Sequence, residues 1–454
     1  MALNVGFVST RFKGIDGVSL EASKWARVFE ENRFECFWFA GELDRDERSS
    51  FLVPEAHFLY PENQSINDEV NGSNRRSAKV TALIHKQREY LKRKLRMFLD
   101  KFAIDLIIAE NSLCLPMHIP LGLALTETIA ETQIPTIAHH HDFYWERTRY
   151  CVNAVSDYIR MAFPPALPQI SHVVINSEAR EQLALRTGIT STVIPNVLDF
   201  ENPPVIDISK QIQLRKLLGL RSEDLVVLQP TRVVRRKGIE HAIDLVSSLE
   251  KPGCKLVVSH ESGDEGHDYM HYLNQYARNC GVELIMVPFG VSDPWGTCAE
   301  KESQFSLLDI YPLADFVTYP SRYEGFGNGL LEAIYFKKPI LVNRYATFVR
   351  DIAPVGFELI EMEDYLDPSS IRRTRDLLDY PELRQIIVEH NFAKASRHFS
   401  YKILRQRLGQ VMAGIDLAWK HQSFDSEPAA SKLVYLHNGL QDAKSRPANS
   451  KRFA

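Results

Sequence analysis

The 454-residue chain contains no C-x-x-C pair, and its six cysteines stand apart at Cys36, Cys114, Cys151, Cys254, Cys280 and Cys298. Such scatter offers neither a zinc frame nor a disulfide framework and fits reduced thiols in a core. No run approaches the roughly 18 consecutive apolar residues of a membrane span, and the opening MALNVGFVSTRF has neither a charged leader nor a long apolar one. A cytoplasmic protein without a transmembrane segment is therefore expected. Excess positive charge is missing too: 54 Lys and Arg stand against 58 Asp and Glu, net −4, so no nucleic-acid partner is expected. The dinucleotide fingerprint G-x-G-x-x-G is absent from the first loop, where Thr10 to Glu21 holds only Gly14 and Gly17.

What the chain does have is apolar content, 44 %, enough for two cores at this length. Short apolar runs at Leu3 to Ser9, Cys36 to Ala40, Phe58 to Tyr60, Ile104 to Ala109, Ile134 to Ala138 and Val173 to Ser177 read as strands. Helical stretches separate most of them. Pro203-Pro204 reads as a linker, after which a helix over Gln213 to Gly219 and strands at Asp224 to Gln229, Lys255 to His260, Val282 to Val287, Phe316 to Tyr319 and Pro339 to Val342 repeat the alternation. A polar helix through Asp376 to His390 and an amphipathic one over Phe399 to Trp419 follow. Arg75 to Phe102 reads as one long helix whose Lys86, Arg88, Lys92, Arg93, Lys94 and Arg96 form a solvated face or meet an anionic acceptor or a membrane surface.

Chemistry concentrates in Thr318 to Pro339, TYPSRYEGFGNGLLEAIYFKKP. A strand stops at Pro320, Gly325 and Gly327 break the chain, and helical spacing resumes at Gly329. A helix start exposes backbone amides and partial positive charge, and glycines let an anion approach them, so phosphate is the natural guest. Glu324 and Glu332 frame the loop and call for hydroxyl groups, as of a sugar or a ribose. A second motif, Pro230 to Gly238, PTRVVRRKG, places Arg232 and Lys237 between a strand and a helix, where cations can meet a leaving group that gains charge. In the first half, Glu110-Asn111-Ser112 closes a strand, the end at which ligands sit in parallel sheets. His139-His140-His141-Asp142 closes another. Alternation puts His139 and His141 on one face; a metal there needs a further ligand nearby, and Asp142 points off that face, so no metal is expected.

These segments resemble the retaining GT-B glycosyltransferases of family four: E-x7-E enclosing E-G-F-G, the R-x4-K-G segment, a strand-end histidine, and Ile194-Pro195-Asn196-Val197-Leu198-Asp199 in place of I-P-N-G-V-D. The usual glycine of the last segment is Val197 here, so its turn is expected to be built differently. The resemblance implies an α/β fold, GT-B, with two Rossmann-like doubly wound domains facing across a cleft. Residues 1–202 would form the acceptor domain, 203–398 the nucleotide-sugar domain, 399–422 a terminal helix crossing back and 423–454 a polar tail, disordered or docking. It assigns catalytic parts to His141, Arg232, Lys237 and Glu324 and substrate contacts to Gly14, Gly17, His139, Phe326, Gly327, Asn328 and Glu332. Residues near Val287 to Gly290 would frame the base. The implied reaction moves a hexosyl group from a UDP- or GDP-sugar to a hydroxyl acceptor by front-face attack, with no cofactor and no metal. The acceptor would be small and soluble or phosphorylated, with a lipid-linked one left open; a nucleotide-sugar 2-epimerase and a silent sugar-nucleotide-binding module are the alternatives.

Overall fold

The computed structural model describes residues 3–14, 17–259, 267–287 and 305–415. The stretches expected to form the polar tail, the end of the terminal helix beyond residue 415 and the base contacts from residue 288 lie outside them.

The chain builds two parallel sheets. In the first, β1 (Asn4–Val8), β2 (Glu35–Ala40), β3 (Ser50–Leu52), β4 (Leu106–Glu110), β5 (Thr136–His140), β6 (Ile170–Val174) and β7 (Thr192–Val193) lie in the order β3-β2-β1-β4-β5-β6-β7. In the second, β8 (Leu225–Gln229), β9 (Cys254–Val258), β10 (Glu283–Met286), β11 (Phe316–Tyr319), β12 (Ile340–Asn343) and β13 (Ile360–Met362) lie in the order β10-β9-β8-β11-β12-β13. Every residue of β4 and β5 is buried, because helices cover both faces of a parallel sheet and reward continuous apolar runs. Both orders reverse beside their first strand. The crevices therefore open between β1 and β4 and between β8 and β11, at the carboxyl ends where doubly wound sheets bind ligands.

Several sequence expectations move. Phe58 to Tyr60 is no strand; the third strand is the edge segment Ser50–Leu52, and Phe58 lies between the turn Pro54–Ala56 and the helix Pro61–Val70. Prolines at both flanks give no N–H to a ladder. The helix expected at Gln213 runs Ile208–Leu217 and starts at Asp207, whose carboxylate accepts from Ser209 and Lys210 N–H. The polar helix is two, Pro368–Asp379 and Pro381–His398, parted where Pro381 cannot continue the first. The long basic helix, Ala78–Phe102, begins at Ser77, whose Oγ accepts from Val80 N–H. Much of its charge is met locally, since Arg88 and Lys92 pair with Glu127 and Lys92 and Arg96 with Glu131 on the helix Ile119–Thr132. Those carboxylates weaken the case for a membrane or acceptor surface on that face. Among the described residues no helix is long and apolar enough to cross a membrane.

The terminal helix, Tyr401–Ala413, buries Leu404, Leu408 and Met412 in the core of the first domain, beside Trp25 and Phe29 of the first helix, Gly17–Glu31. The crossing is pinned where Leu198 N–H donates to the Phe399 carbonyl at 2.9 Å. Leu404 is fully buried, so Leu404→Ala should destabilise the protein by about 2–5 kcal/mol. Leu185→Ala, at a residue 75 % exposed, should change little. Denaturant unfolding of both variants checks this, and equal effects would contradict the packing described.

Candidate active site

The second domain builds its half of the site from two loops on either side of its crevice. After β8, Thr231, Val233 and Val234 are buried while Arg232 is exposed, so apolar anchors display the arginine. Gly238 ends the loop at φ +60°, and a Cβ there would lie 2.7 Å from the Pro320 carbonyl oxygen of the other loop. That close approach lets Lys237 reach Glu324. The two side chains are buried and form an ion pair, with Arg236 Nη1 3.4 Å from the second carboxylate oxygen. Burial pushes Glu324 up, yet Lys237 and Arg236 outweigh it and hold the carboxyl below its ordinary range. Burial lowers Lys237, and Glu324 opposes that shift. Arg232 is close enough for its charge to be felt at Lys237.

After β11, Gly327 takes φ +108° as the residue before the helix Asn328–Tyr335, and a Cβ there would fall 2.1 Å from the Tyr345 hydroxyl. Only glycine serves at this helix start. Phe326, expected among the substrate contacts, turns its ring into the core against Phe399 and offers the cleft only backbone. Glu332, on the helix, accepts from the Tyr311 hydroxyl at 2.7 Å, and burial raises its pKa.

The first domain contributes the strand-end histidines. Glu110, fully buried at the end of β4, takes His139 Nδ1 at 3.0 Å and His141 Nε2 at 3.3 Å. Its neighbour Asn111 accepts from His141 N–H at 3.0 Å. Glu110, His139 and His141 bring ligand atoms within 4.8 Å of one another, a grouping that sequence reading did not anticipate. His140 points the other way, to His172 at 2.9 Å. His139 is buried and stacked on Trp25, 4.2 Å between ring centres, because a central strand covered on both faces keeps its last residues inside. It supports the site from within and does not line the cleft. His141 is raised overall: burial lowers it, but its contact with Glu110 and the Glu21 charge prevail.

The two halves meet. A Cβ on Gly325 would come 3.4 Å from the His141 carbonyl oxygen, and Asn176 Nδ2 donates to the Gly325 carbonyl at 2.7 Å. Asn196 Nδ2 donates to Asn328 Oδ1 at 2.7 Å, and Gly17, opening the first helix, faces the same Asn328. Gly14 sits farther along that loop at φ +77°, its N–H donating to Asp44. Val197, which stands at the glycine of the I-P-N-G-V-D pattern, keeps a negative φ and gives its carbonyl to Lys24 at 2.7 Å. Lys24 and Glu21 form a buried pair whose charges reach Glu332. Sequence reading missed this pair, although Glu21 shares the helical stripe of Trp25 and Val28, where a charge is out of place.

Two facing doubly wound domains, with a cation and carboxylate set at one crevice and a histidine cluster opposite, define a glycosyltransferase of GT-B architecture. Residues 210–391 match the family described as glycosyl transferases group 1. The chain is 34 % identical over 382 residues to the mannosylglucosylglycerate synthase of Petrotoga mobilis, covering 79 % of this chain and 86 % of that protein. It is 30 % identical over 441 residues to the synthase of the same name from Thermotoga maritima, covering 90 % and 99 %. Among solved structures, a glycosyltransferase of Rickettsia africae is similar in fold at TM-score 0.64 and 14 % identity, covering 91 % of this chain and 98 % of that one. Anabaena HepE, solved with UDP and glucose, is similar at 0.60 and 14 %, covering 91 % and 100 %. The chain belongs to the group 1 glycosyltransferases.

Glu146 ties the halves once more, accepting from the Tyr323 hydroxyl at 3.0 Å. Burial, then the Asp142 carboxylate, pushes its pKa from 4.5 to about 7. A proton held more tightly in the folded state stabilises it fully below the unfolded pKa, and that contribution is lost as pH rises through 7. Gln mimics the protonated acid. Glu146→Gln should therefore melt with the wild type at pH ~4 and above it at pH ~8. A melting difference independent of pH would refute the assignment.

Proposed function

We propose that the chain is a retaining hexosyltransferase that moves a mannosyl group from a UDP- or GDP-sugar to glucosylglycerate, a reading that starts from the product in the relatives' names. The observation that carries the chemistry is the convergence of Lys237, Arg232, Glu324 and a glycine-opened helix start in one crevice, with His141 facing them. The diphosphate would lie against the helix start at Gly327 and Asn328, with Lys237 and Arg232 taking the charge it gains as the sugar leaves. Glu324 would bind the sugar hydroxyls and Glu332 the ribose. In front-face attack the acceptor oxygen bonds to the anomeric carbon on the face from which the diphosphate departs. The acceptor's proton passes to the departing diphosphate, so no second carboxylate is needed.

The reading is tested by incubating the protein with GDP-mannose or UDP-mannose and glucosylglycerate, and determining the product's anomeric configuration by NMR. Transfer with retention is expected; an epimerised free sugar, or no turnover, would overturn it. Lys237→Ala and Arg232→Ala should each cost about two orders of magnitude in turnover, the usual cost of one donor to a developing anion. Glu324→Gln should depress kcat more than nucleotide affinity, because its interaction strengthens as the sugar departs, whereas Glu332→Gln should mainly raise the donor KM. The reverse pattern would exchange the two assignments.

Metal independence belongs to the same proposal. Its support is that fixed cations stand where the diphosphate would lie, and that Glu110, His139 and His141 are already joined by hydrogen bonds. Turnover should survive exhaustive chelation. Activity lost to EDTA and restored by manganese or magnesium would make that trio a ligand set.

A further inference from the structure

Where the two domains meet, beside the loop that carries Glu324, lies a cavity of about 270 Å³ that the donor chemistry leaves unused. Tyr323 and Thr347 of the second domain wall one side, and Trp145, Glu146 and the helix Ser177–Thr187 of the first domain wall the other. Its inner end is the loop itself. Thr347 Oγ1 donates to the Glu324 carbonyl at 3.1 Å, and Asn176, the cap of that helix, donates to the Gly325 carbonyl at 2.7 Å. The cavity thus begins at the backbone of the residue proposed to hold the donor sugar.

The helix presents the cavity with three polar side chains in line. Glu178, Gln182 and Arg186 follow one another at four-residue spacing, so they share one face, and ~12 Å of helix axis separates the first from the last. Glu178 lies at the domain junction with Glu146, whose carboxyl accepts from the Tyr323 hydroxyl at 3.0 Å; oxygens of this kind, with the Thr347 hydroxyl, accept from the hydroxyl groups of a sugar. Arg186 stands at the far end. Its guanidinium lies over the Trp145 ring, 5.3 Å from the centroid, while its Nε–H donates to Gln182 Oε1 at 3.0 Å. Among the described residues no carboxylate pairs with it, and its two terminal amino groups form the edge that takes a carboxylate through parallel hydrogen bonds.

Carboxyl groups at the inner end and a cation at the outer end suit a ligand that is a polyol on one side and an anion on the other. At ~10–15 Å³ per water-sized group the space holds about 18 to 27 of them, and glucosylglycerate has about 18 non-hydrogen atoms. We propose that this cavity seats the acceptor, with the glucosyl ring against Glu178 at the domain junction and the glycerate carboxylate on Arg186. The inference rests on the glucosylglycerate reading above and adds to it where the acceptor lies and which residue selects its charge. Two helical turns keep the ligand's carboxylate apart from Glu178.

The experiment titrates glucosylglycerate into wild type, Arg186→Gln and Arg186→Lys by calorimetry, and measures transfer by the same proteins to glucosylglycerate and to the uncharged glucosylglycerol. Binding should weaken about 10- to 100-fold in Arg186→Gln and less in Arg186→Lys, which keeps the charge and loses the fork. The kcat/KM for glucosylglycerate should fall with it, through KM, while that for glucosylglycerol stays. Arg186 is exposed, so the melting temperature should not move, and if Arg186→Gln does not fold, Arg186→Lys carries the comparison. Glu178→Gln should instead lower kcat/KM for both acceptors, and a variant equal to wild type on both would overturn the placement of the ring. Absence of glucosylglycerate binding to the wild type, equal binding by the Arg186 variants, or an unchanged ratio of the two acceptors in Arg186→Gln would overturn the site, and the acceptor reading would stand wherever the wild type still transfers to glucosylglycerate. Arg186-dependent binding in a wild type that transfers nothing to glucosylglycerate would sink the acceptor reading and leave the cavity as a site for a sugar acid.

Discussion

The site depends on one buried ion pair. Lys237 and Glu324 come from loops 87 residues apart in sequence, and each would be intolerable alone in that position. Removing charges from water costs several kcal/mol per ion, and only a close partner with further hydrogen bonds offsets it. Here Arg236 shares the carboxylate and also donates to the Tyr323 carbonyl at 2.9 Å, while Thr347 Oγ1 donates to the Glu324 carbonyl at 3.1 Å. The pair thus fixes both loops around the crevice of the second sheet. On the proposed function, its two members are also the groups that a sugar diphosphate would address separately, one by charge and one by hydroxyls. A site held together by charges that it would then lend to such a ligand would need little rearrangement to receive it.

Backbone conformation makes that pair possible. Gly238 at φ +60° and Gly327 at φ +108° each sit where a side chain would strike the opposite loop or Tyr345. These two glycines were legible in the sequence because their motifs are local: strand, loop and helix follow one another within a few residues, and spacing along the chain equals spacing in the site. The same locality made the strand-end position of His141 readable. The order of the sheets was legible only through the family resemblance, since periodicity says which segments are strands and not which are neighbours.

What was not legible is what tertiary convergence creates. Glu110 and the histidines lie about 30 residues apart, yet adjacent parallel strands in register bring Glu110 opposite His139. Nothing in the spacing of the three announces a shared carboxylate. Phe326 reads as a cleft residue because it stands inside the glycine loop, but a loop anchored to a core needs one apolar side chain pointing inward, and Phe326 supplies it. Phe58 to Tyr60 reads as a strand by composition, whereas the prolines on either side decide otherwise; its Phe58 ring instead backs Arg11. The substitution of Val197 for glycine was visible, and its physical counterpart is a turn without positive φ whose carbonyl is taken by Lys24.

The two domains are joined by contacts of two kinds, and the difference bears on how a cleft enzyme can work. Along the crossing, Leu198, Phe200 and Phe399 are buried with Tyr335 in one apolar cluster, and Phe200 meets Tyr335 edge to face at 5.1 Å. Opening this seam would expose aromatic surface at a cost that water does not return. Across the cleft, Ile175 alone of its strand end joins the apolar cluster, and the other contacts are polar: Asn176 to Gly325, Asn196 to Asn328, Tyr323 to Glu146, and Ser177 N–H to Asp351 at 2.8 Å. A hydrogen bond between protein groups exchanges for one to water at a net cost of only about 1 kcal/mol. The apolar seam therefore acts as the permanent joint, and the polar seam can part and re-form as substrate and product pass. His141 and Gly325 lie on opposite banks of that polar seam, so on the proposed function closing it would also bring the two halves of the site together.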